Sequence, residues 1–377
     1  MLPVAVAGGG PTGLALALML HQAGIGCEVF DARRAGAGGE DRRVLALSHG
    51  SRQILDRLGA WAAIGATPIS AIHVSQQGRL GRTLIEAAQA GVPSLGYVAG
   101  ASGIAAALDR ACADAGIVIH RETRVAETDA AIDRIFLRCI ATERARTVSA
   151  RLVAWAEGAT GEGAKIVSRD YGQRALLAVL RTSKPAAGVA YERFTADGPV
   201  ALLPLGQRYA LVWAASCAEC DAVSALDDDR FLARLDALFG GRFRFLAADA
   251  RSTFPLALRY RRTPVAPRTV WLGNAAQTLH PVAGQGFNLA LRDAAQLVRL
   301  LEDAADCGDA TLLARHAAAR RLDRLGAIGI TDSLVRLFGL PGQLPAHARS
   351  AGLLALDLMP AARRFFARRM IFGARAW

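Results

Sequence analysis

Two strand–turn–helix junctions, at residues 8–31 and 273–288, constrain this chain of 377 residues more than any other feature of it. At the first, residues 3–7 read as a buried strand, Gly8-Gly9-Gly10-Pro11-Thr12-Gly13 follows directly, and residues 14–23 form a helical run. Residues 25–30 then read as a second strand, ending at Asp31. Gly8, Gly10 and Gly13 fit G-x-G-x-x-G, which supplies a tight turn, close approach to a pyrophosphate and close helix–strand packing. Asp31 stands 18 residues beyond Gly13, where an acid can bind ribose hydroxyls. A glycine fingerprint alone is weak. With a strand before it, a helix after it and an acid ending the next strand, it points to a bound dinucleotide.

The second junction starts with a short apolar strand at 270–272 that stops at Gly273-Asn274. The loop 278–286 carries His280-Pro281 and a Gly284-Gln285-Gly286 turn. An amphipathic helix begins near Asn288, with Leu289, Ala290, Ala294, Leu297 and Leu301 near helical spacing. Glycines just before a helix bring the backbone close to a ligand and aim free N–H groups at it. Because the two junctions lie at opposite ends, one nucleotide domain has to be assembled from separated segments. Between them, 189–195, 200–205 and 208–215 read as short strands with turns at Asp197-Gly198-Pro199 and Gly206-Gln207. Residues 252–260 read as the last strand of that hairpin-rich antiparallel sheet, and 311–338 as helix.

Composition removes several classes. Residues 2–27 hold no Asp, Glu, Lys or Arg, but no basic segment precedes them and four of the six residues at 8–13 are glycine. The expectation is therefore neither a secretory signal nor a transmembrane anchor, and a cytoplasmic protein. Six cysteines show no framework spacing; Cys217-x-x-Cys220 lacks the second pair a zinc site needs, so no metal is expected. The net charge of +12 comes from scattered arginine, with Lys165 and Lys184 as the only lysines, and no nucleic-acid motif accompanies it. The C-terminus differs locally: Arg363, Arg364, Arg368, Arg369 and Arg375 alternate with Phe365, Phe366, Ile371, Phe372 and Trp377. Such a segment could rest on an anionic membrane surface or simply dock on the protein. No G-x-S-x-G elbow supports a serine hydrolase.

The chain resembles the single-component FAD aromatic hydroxylases, and within them the ubiquinone-biosynthesis hydroxylases of the 2-polyprenyl-6-methoxyphenol type. The resemblance runs through residues 8–13, Asp41-Arg42-Arg43-Val44-Leu45-Ala46-Leu47, 190–205 and 330–338, and is most specific over 273–293, where Asn274 replaces the commoner aspartate. It implies an α/β fold like p-hydroxybenzoate hydroxylase: a Rossmann-type FAD-binding domain from discontinuous segments (1–70, 96–170, 266–340), an antiparallel β-sheet substrate domain (71–95, 171–265) and a C-terminal helical segment (341–377). It also implies FAD held by Gly8, Gly10, Pro11, Thr12, Gly13, Asp31, Arg43, Glu157, Asn274, Gly284, Gln285, Gly286, Phe287 and Asn288. Pro281 would shape the wall near the reacting edge of the flavin. His280 is the candidate for proton transfer, with a loop-pinning role as the competing assignment. NADPH or NADH would visit as reductant. O2 would react to give a flavin C4a-hydroperoxide that hydroxylates a prenylated phenol, at the inner face of a membrane or beside other ubiquinone-biosynthesis proteins. Two departures stand out: Glu157 where the family has aspartate in its Asp-Gly motif, with the following Ser-x-x-Arg lost, and Ala105-Ala106-Ala107 where relatives place an arginine toward the FAD phosphates. They motivate the alternative of a non-catalytic scaffold subunit of a quinone-biosynthesis assembly.

Overall fold

The computed structural model describes residues 1–373 except 142–143, 159, 162–164 and 341. Leu2–Ala7 lies inside a sheet ordered Val265–Ala266, Thr269–Trp271, Arg144–Trp155, Leu2–Ala7, Cys27–Phe30, Ile119–His120. From Thr269–Trp271 to Ile119–His120 every neighbouring pair is parallel. Parallel strands covered on both faces need continuous apolar runs, and Val4, Ala5, Val6 and Ala7 are fully buried. The helix Pro11–Gln22 packs against this sheet with Gly13 through Leu20 all buried. The charge-free stretch 2–27 thus contains two buried runs, residues 4–9 and 13–20. Gly286–Leu301 lies beside that helix, and the cluster of Leu14, Leu18, Leu291, Leu297 and Leu301 joins the two ends of the chain.

A second sheet is ordered Gln277–Thr278, Ser252–Arg261, Ile166–Thr182, Arg208–Ser216, Pro199–Leu205, Val189–Phe194, Ala71–Gln76, Arg82–Glu86. One detail differs from the sequence reading. Val189–Phe194 runs parallel to Ala71–Gln76, because the long connection between them passes through the nucleotide domain and returns in the same sense. Ser252–Arg261 is the last strand of this sheet before the chain returns to the nucleotide domain, and Gln277–Thr278 then turns back from the 273 turn to pair with it.

One face of this sheet packs Trp213, Leu202 and Leu180 on Phe231 and Leu235 of the helix Asp228–Leu238. The other face brings Ala190 against Ile69 and Val98, with Val44, Leu203 and Leu205 around them. Ile69, Val98 and Val44 come from a small sheet of Val44–Ser48, Gly96–Gly100 and Thr67–Ile69 that bridges the two larger ones. Three helices close the chain: Ala310–Gly339, Gln343–Leu358 and Pro360–Phe372. The last is a docking helix, with Ala367 and Ile371 buried against Ile85, Ala87 and Leu95. Arg375 and Trp377 lie outside the described residues.

Candidate functional site

The four N-terminal glycines divide into two kinds. A Cβ on Gly8 would lie 2.8 Å from Ala156 C and Glu157 N, one on Gly9 2.5 Å from an Asp31 oxygen, and one on Gly13 1.9 Å from Gly8 O. These three are glycine because protein fills the space. Gly10 is different: its Cβ would meet nothing nearer than the Arg33 guanidinium at 3.9 Å. Gly286 likewise has no atom within 4 Å of a Cβ. Both open positions stand at helix N-termini, Gly10 capping Pro11–Gln22 and Gly286 starting Gly286–Leu301, and neither helix has a side-chain cap or an acid in its first turn. Free N–H groups at two such ends, opening on unfilled space, are what a pyrophosphate and an electron-rich ring edge require. The two halves touch: Gly273, at φ +57°, packs so tightly on Thr12 that a Cβ would lie 2.8 Å from its hydroxyl.

The other candidate residues sit as follows. Asp31 ends the strand Cys27–Phe30 and is buried, but arginine occupies its acceptors. Its Oδ1 accepts from Arg33 N (3.2 Å) and Nε (3.1 Å), and its Oδ2 from Arg33 Nη2 (3.0 Å) and Arg121 Nη1 (2.9 Å). A ribose can reach this carboxylate only if Arg33, whose side chain is 45% exposed, swings aside. Glu157 is half-buried beside it; burial first, then the Asp31 charge, raise its carboxyl pKa, with Arg124 opposing. Of the run that follows, Ala159, Glu162 and Gly163 lie outside the described residues. Arg43 is clamped to Asp41 by Nε (2.9 Å) and Nη2 (2.6 Å) at the edge of Val44–Ser48. Asn274 sits in a 3-10 turn, its carbonyl accepting from Thr160 Oγ1 at 2.7 Å. In the Ala105-Ala106-Ala107 stretch, Gly38 packs on Ala105 so closely that a Cβ on Gly38 would lie 2.8 Å from the Ala105 methyl.

In the second loop, His280 caps the 3-10 turn Pro281–Ala283, its Nδ1 accepting from Val282 N at 3.2 Å. Burial pushes its pKa down to about 4, so the ring is neutral near pH 7 and carries its proton on Nε2, which is buried with no partner among the described residues. The Nδ1 lone pair is thus engaged by the loop's own backbone. Gly284, at φ +57°, packs against Ala46, where a Cβ would lie 3.1 Å from the methyl. Gln285 Nε2 donates to Met370 O in the C-terminal helix (3.3 Å), and Phe287 packs on the main core. The Asn288 side chain is committed to the protein: Oδ1 accepts from Ser48 N (2.8 Å) and Ser51 Oγ (2.7 Å), while Nδ2 donates to Ala46 O (2.9 Å) and Gly284 O (2.7 Å). Of Asn288, only the backbone is left to face a ligand.

Sequence reasoning missed what lies behind this loop. Asp323 binds Arg292 (2.7 Å) and Arg320, Asp293 binds Arg320 (2.5 Å), and Gln277 bridges Asp293 (3.2 Å) to Arg324 (2.7 Å). Each of these side chains is buried or nearly so. The network fixes Gly286–Leu301 to Ala310–Gly339. Arginine and aspartate three or four residues apart on one helix usually read as a solvated face, so only the burial reveals it.

An FAD-binding-domain family model matches residues 1–324. The chain belongs to this family of FAD-dependent monooxygenases, and FAD is its cofactor. Among proteins of similar sequence, a ubiquinone hydroxylase, UbiL, of Rhodospirillum rubrum is 33% identical over 97% of this chain and 88% of its own length. The 3-demethoxyubiquinol 3-hydroxylase of Escherichia coli is 29% identical over 94% of each chain. Human mitochondrial COQ6, a ubiquinone biosynthesis monooxygenase, is 28% identical over 52% of this chain and 50% of its own. In fold, the chain is similar to p-nitrophenol 4-monooxygenase PnpA from Pseudomonas putida (TM-score 0.80, 16% identity, 100% of this chain and 99% of that one). It is also similar to Klebsiella pneumoniae HpxO solved with FAD (TM-score 0.78, 17% identity, 100% of both chains).

Proposed function

We propose that this enzyme hydroxylates the aromatic ring of a polyprenylated phenol in ubiquinone biosynthesis, with NADPH or NADH as reductant and O2 as oxygen source. The names of its relatives support the pathway. One structural observation carries the substrate class: the sheet face turned toward the flavin loop is apolar, with Ala190, Leu203 and Leu205 packed toward Val98 and Val44. An apolar wall with few polar groups suits a lipid-tailed ring.

Bound FAD supplies the oxygen chemistry. The chain supplies the rest. Gly10 and the Pro11–Gln22 N-terminus would hold the pyrophosphate, with Pro11, Thr12 and Gly13 shaping the turn. Asp31, Arg43, Glu157 and Asn274 would line the approach to it. The backbone N–H groups from Gly284 to Asn288, in a loop held by His280, Gln285 and the Asn288 side chain, would favour negative charge on the bound flavin. Pro281 would shape the substrate side of the site, and the sheet would exclude water.

A long prenyl tail partitions into bilayer, so the protein would draw its substrate from a membrane surface. No helix among the described residues is long and apolar enough to cross one. The C-terminal helices instead expose Leu337, Leu340, Leu344, Leu358, Met359 and Phe365. Residues 333–373 contain Arg336, Arg349, Arg363, Arg364, Arg368 and Arg369 against Asp357 alone. Exposed leucine among arginines suits an anionic surface. Expression in a cell lacking its own ring hydroxylase tests the pathway: quinone synthesis should return, and continued accumulation of the prenylphenol would remove the assignment.

A further inference from the structure

The inner sheet face carries one carboxyl. Glu192 pairs in register with Val74 on one side and Ala201 on the other. The row continues to Thr83 beyond Val74 and to Val212 and Leu177 beyond Ala201. Strand alternation puts these side chains on one face. It is the face toward the cofactor: Ala190, two residues earlier, packs on Ile69 and Val98 beside Val44. Val44 begins the strand whose Ala46 touches Gly284 of the flavin loop. Two residues later, Phe194 stacks on Phe338 of the long C-terminal helix and closes that side.

Glu192 makes no hydrogen bond or ion pair among the described residues, and its side chain is only partly exposed. Burial alone pushes its pKa up to about 8. The side chain, being partly exposed, reaches the surface of this wall and is not sealed beneath it. Polar atoms nearby on the same face are also unmet: Thr83 Oγ1 in the same row, and Gln76 Oε1 one alternation along the neighbouring strand. A folded chain rarely leaves a carboxyl, an amide oxygen and a hydroxyl unpartnered in an apolar wall unless a ligand completes them.

We propose that Glu192 is the substrate-binding base of the reaction, receiving the proton of the ring hydroxyl. This rests on the phenolic substrate class proposed above. The phenol O–H bond breaks, its proton moves to a Glu192 carboxylate oxygen, and the electron pair stays on the phenol oxygen. The ring carbons ortho and para to that oxygen become more electron-rich, which is what an electrophilic oxygen donor needs. The proton leaves to solvent with product. No oxidant or reductant takes part in this step.

Other charged groups stand apart from it. Arg193, and His73 and Arg82 on the adjoining strands, point to the opposite face, where Arg242 covers Tyr191. On the elements packed against the inner face, Arg43 is paired with Asp41, Asp332 with Arg169 and Arg336, and Arg349 donates to Leu337 O and Leu340 O.

The test uses the FAD-loaded enzyme with NAD(P)H, O2 and a short-tailed 2-prenylphenol, recording kcat/KM against pH. In the wild type, kcat/KM should rise with pH along a limb set by ionisation of the Glu192 carboxyl, which burial raises to about 8. In Glu192→Gln that limb should vanish and kcat/KM should fall about 100-fold with FAD content and melting temperature held. Glu192→Asp, which keeps a carboxylate, should recover part of the rate and the limb. An unchanged pH profile and unchanged kcat/KM in Glu192→Gln would overturn the assignment while leaving the substrate class standing. A wild-type enzyme that carries FAD but neither binds nor turns over any phenol would overturn both.

Discussion

Single atoms decide what the glycine turn does. A valine at Gly10 meets open space on the protein side, so Gly10→Val should fold normally, within about 0.5 kcal/mol of wild type, and purify colourless. An alanine at Gly13 would drive its methyl into Gly8 O, and Gly13→Ala should cost about 1–3 kcal/mol or more in urea unfolding. Full flavin content in Gly10→Val would contradict the cradle. The glycine pattern was legible because its spacing is local. The arginines filling Asp31 were not: Arg121 lies 90 residues away in sequence. Glu192 was equally hidden, since alternation tells which residues share a face but not which face turns to the cofactor. His280 and His316 are neutral in the fold because burial holds both pKa values near 4. Their ordinary value is about 6.5, so between there and pH 4 the unfolded chain binds protons that the folded chain does not. Stability is full above pH 6.5 and should fall with decreasing pH through that window, by at most about 1.4 kcal/mol per pH unit for each histidine. Urea midpoints from pH 7 to 4.5 measure it, and His316→Gln should flatten the slope. An equal slope in that variant would place the effect elsewhere.

Among elements, the Asn288 clamp joins the flavin loop, the strand Val44–Ser48 and the helix His49–Arg57 through four hydrogen bonds. Asn288→Ala leaves their partners unmet in a buried site, at roughly 1–3 kcal/mol for each unsatisfied group. It should lower the urea midpoint and weaken FAD retention at least tenfold, as measured by flavin release on dilution. Unchanged retention would mean that the loop keeps its shape without the clamp. The helix around Asn288 was legible from apolar spacing. The destination of its side chain was not, because hydrogen bonds to Ser48 and Ser51 span about 240 positions. The ion network behind the loop escaped for the same reason: Asp323 and Arg320 sit on a helix whose charged residues look solvated in sequence.

For the whole molecule, the C-terminus shows how helical packing redirects a compositional signal. The alternating arginines and aromatics of 363–372 suggest a surface helix, yet Ala367 and Ile371 are core residues, so deleting that segment would unfold the protein before it tested a membrane. The informative variant is Leu344→Ser with Leu358→Ser, both sites being exposed. It should reduce flotation with anionic vesicles and slow turnover of a long-tailed phenol, while a short-tailed analogue is turned over normally. Equal rates on both substrates, with flotation intact, would move the contact elsewhere. The discontinuous nucleotide fold was legible because both of its junctions carry glycine signatures. The parallel pairing of Val189–Phe194 with Ala71–Gln76 was not, since strand sense across a long excursion leaves no local mark. The central claim is ring hydroxylation by bound FAD. It is tested most directly by supplying the FAD-loaded protein with NAD(P)H, a prenylphenol and isotopically labelled O2, then weighing the product. One labelled oxygen on the ring for each NAD(P)H consumed is the predicted result; reductant consumed with hydrogen peroxide released and every phenol tried left unchanged would contradict it.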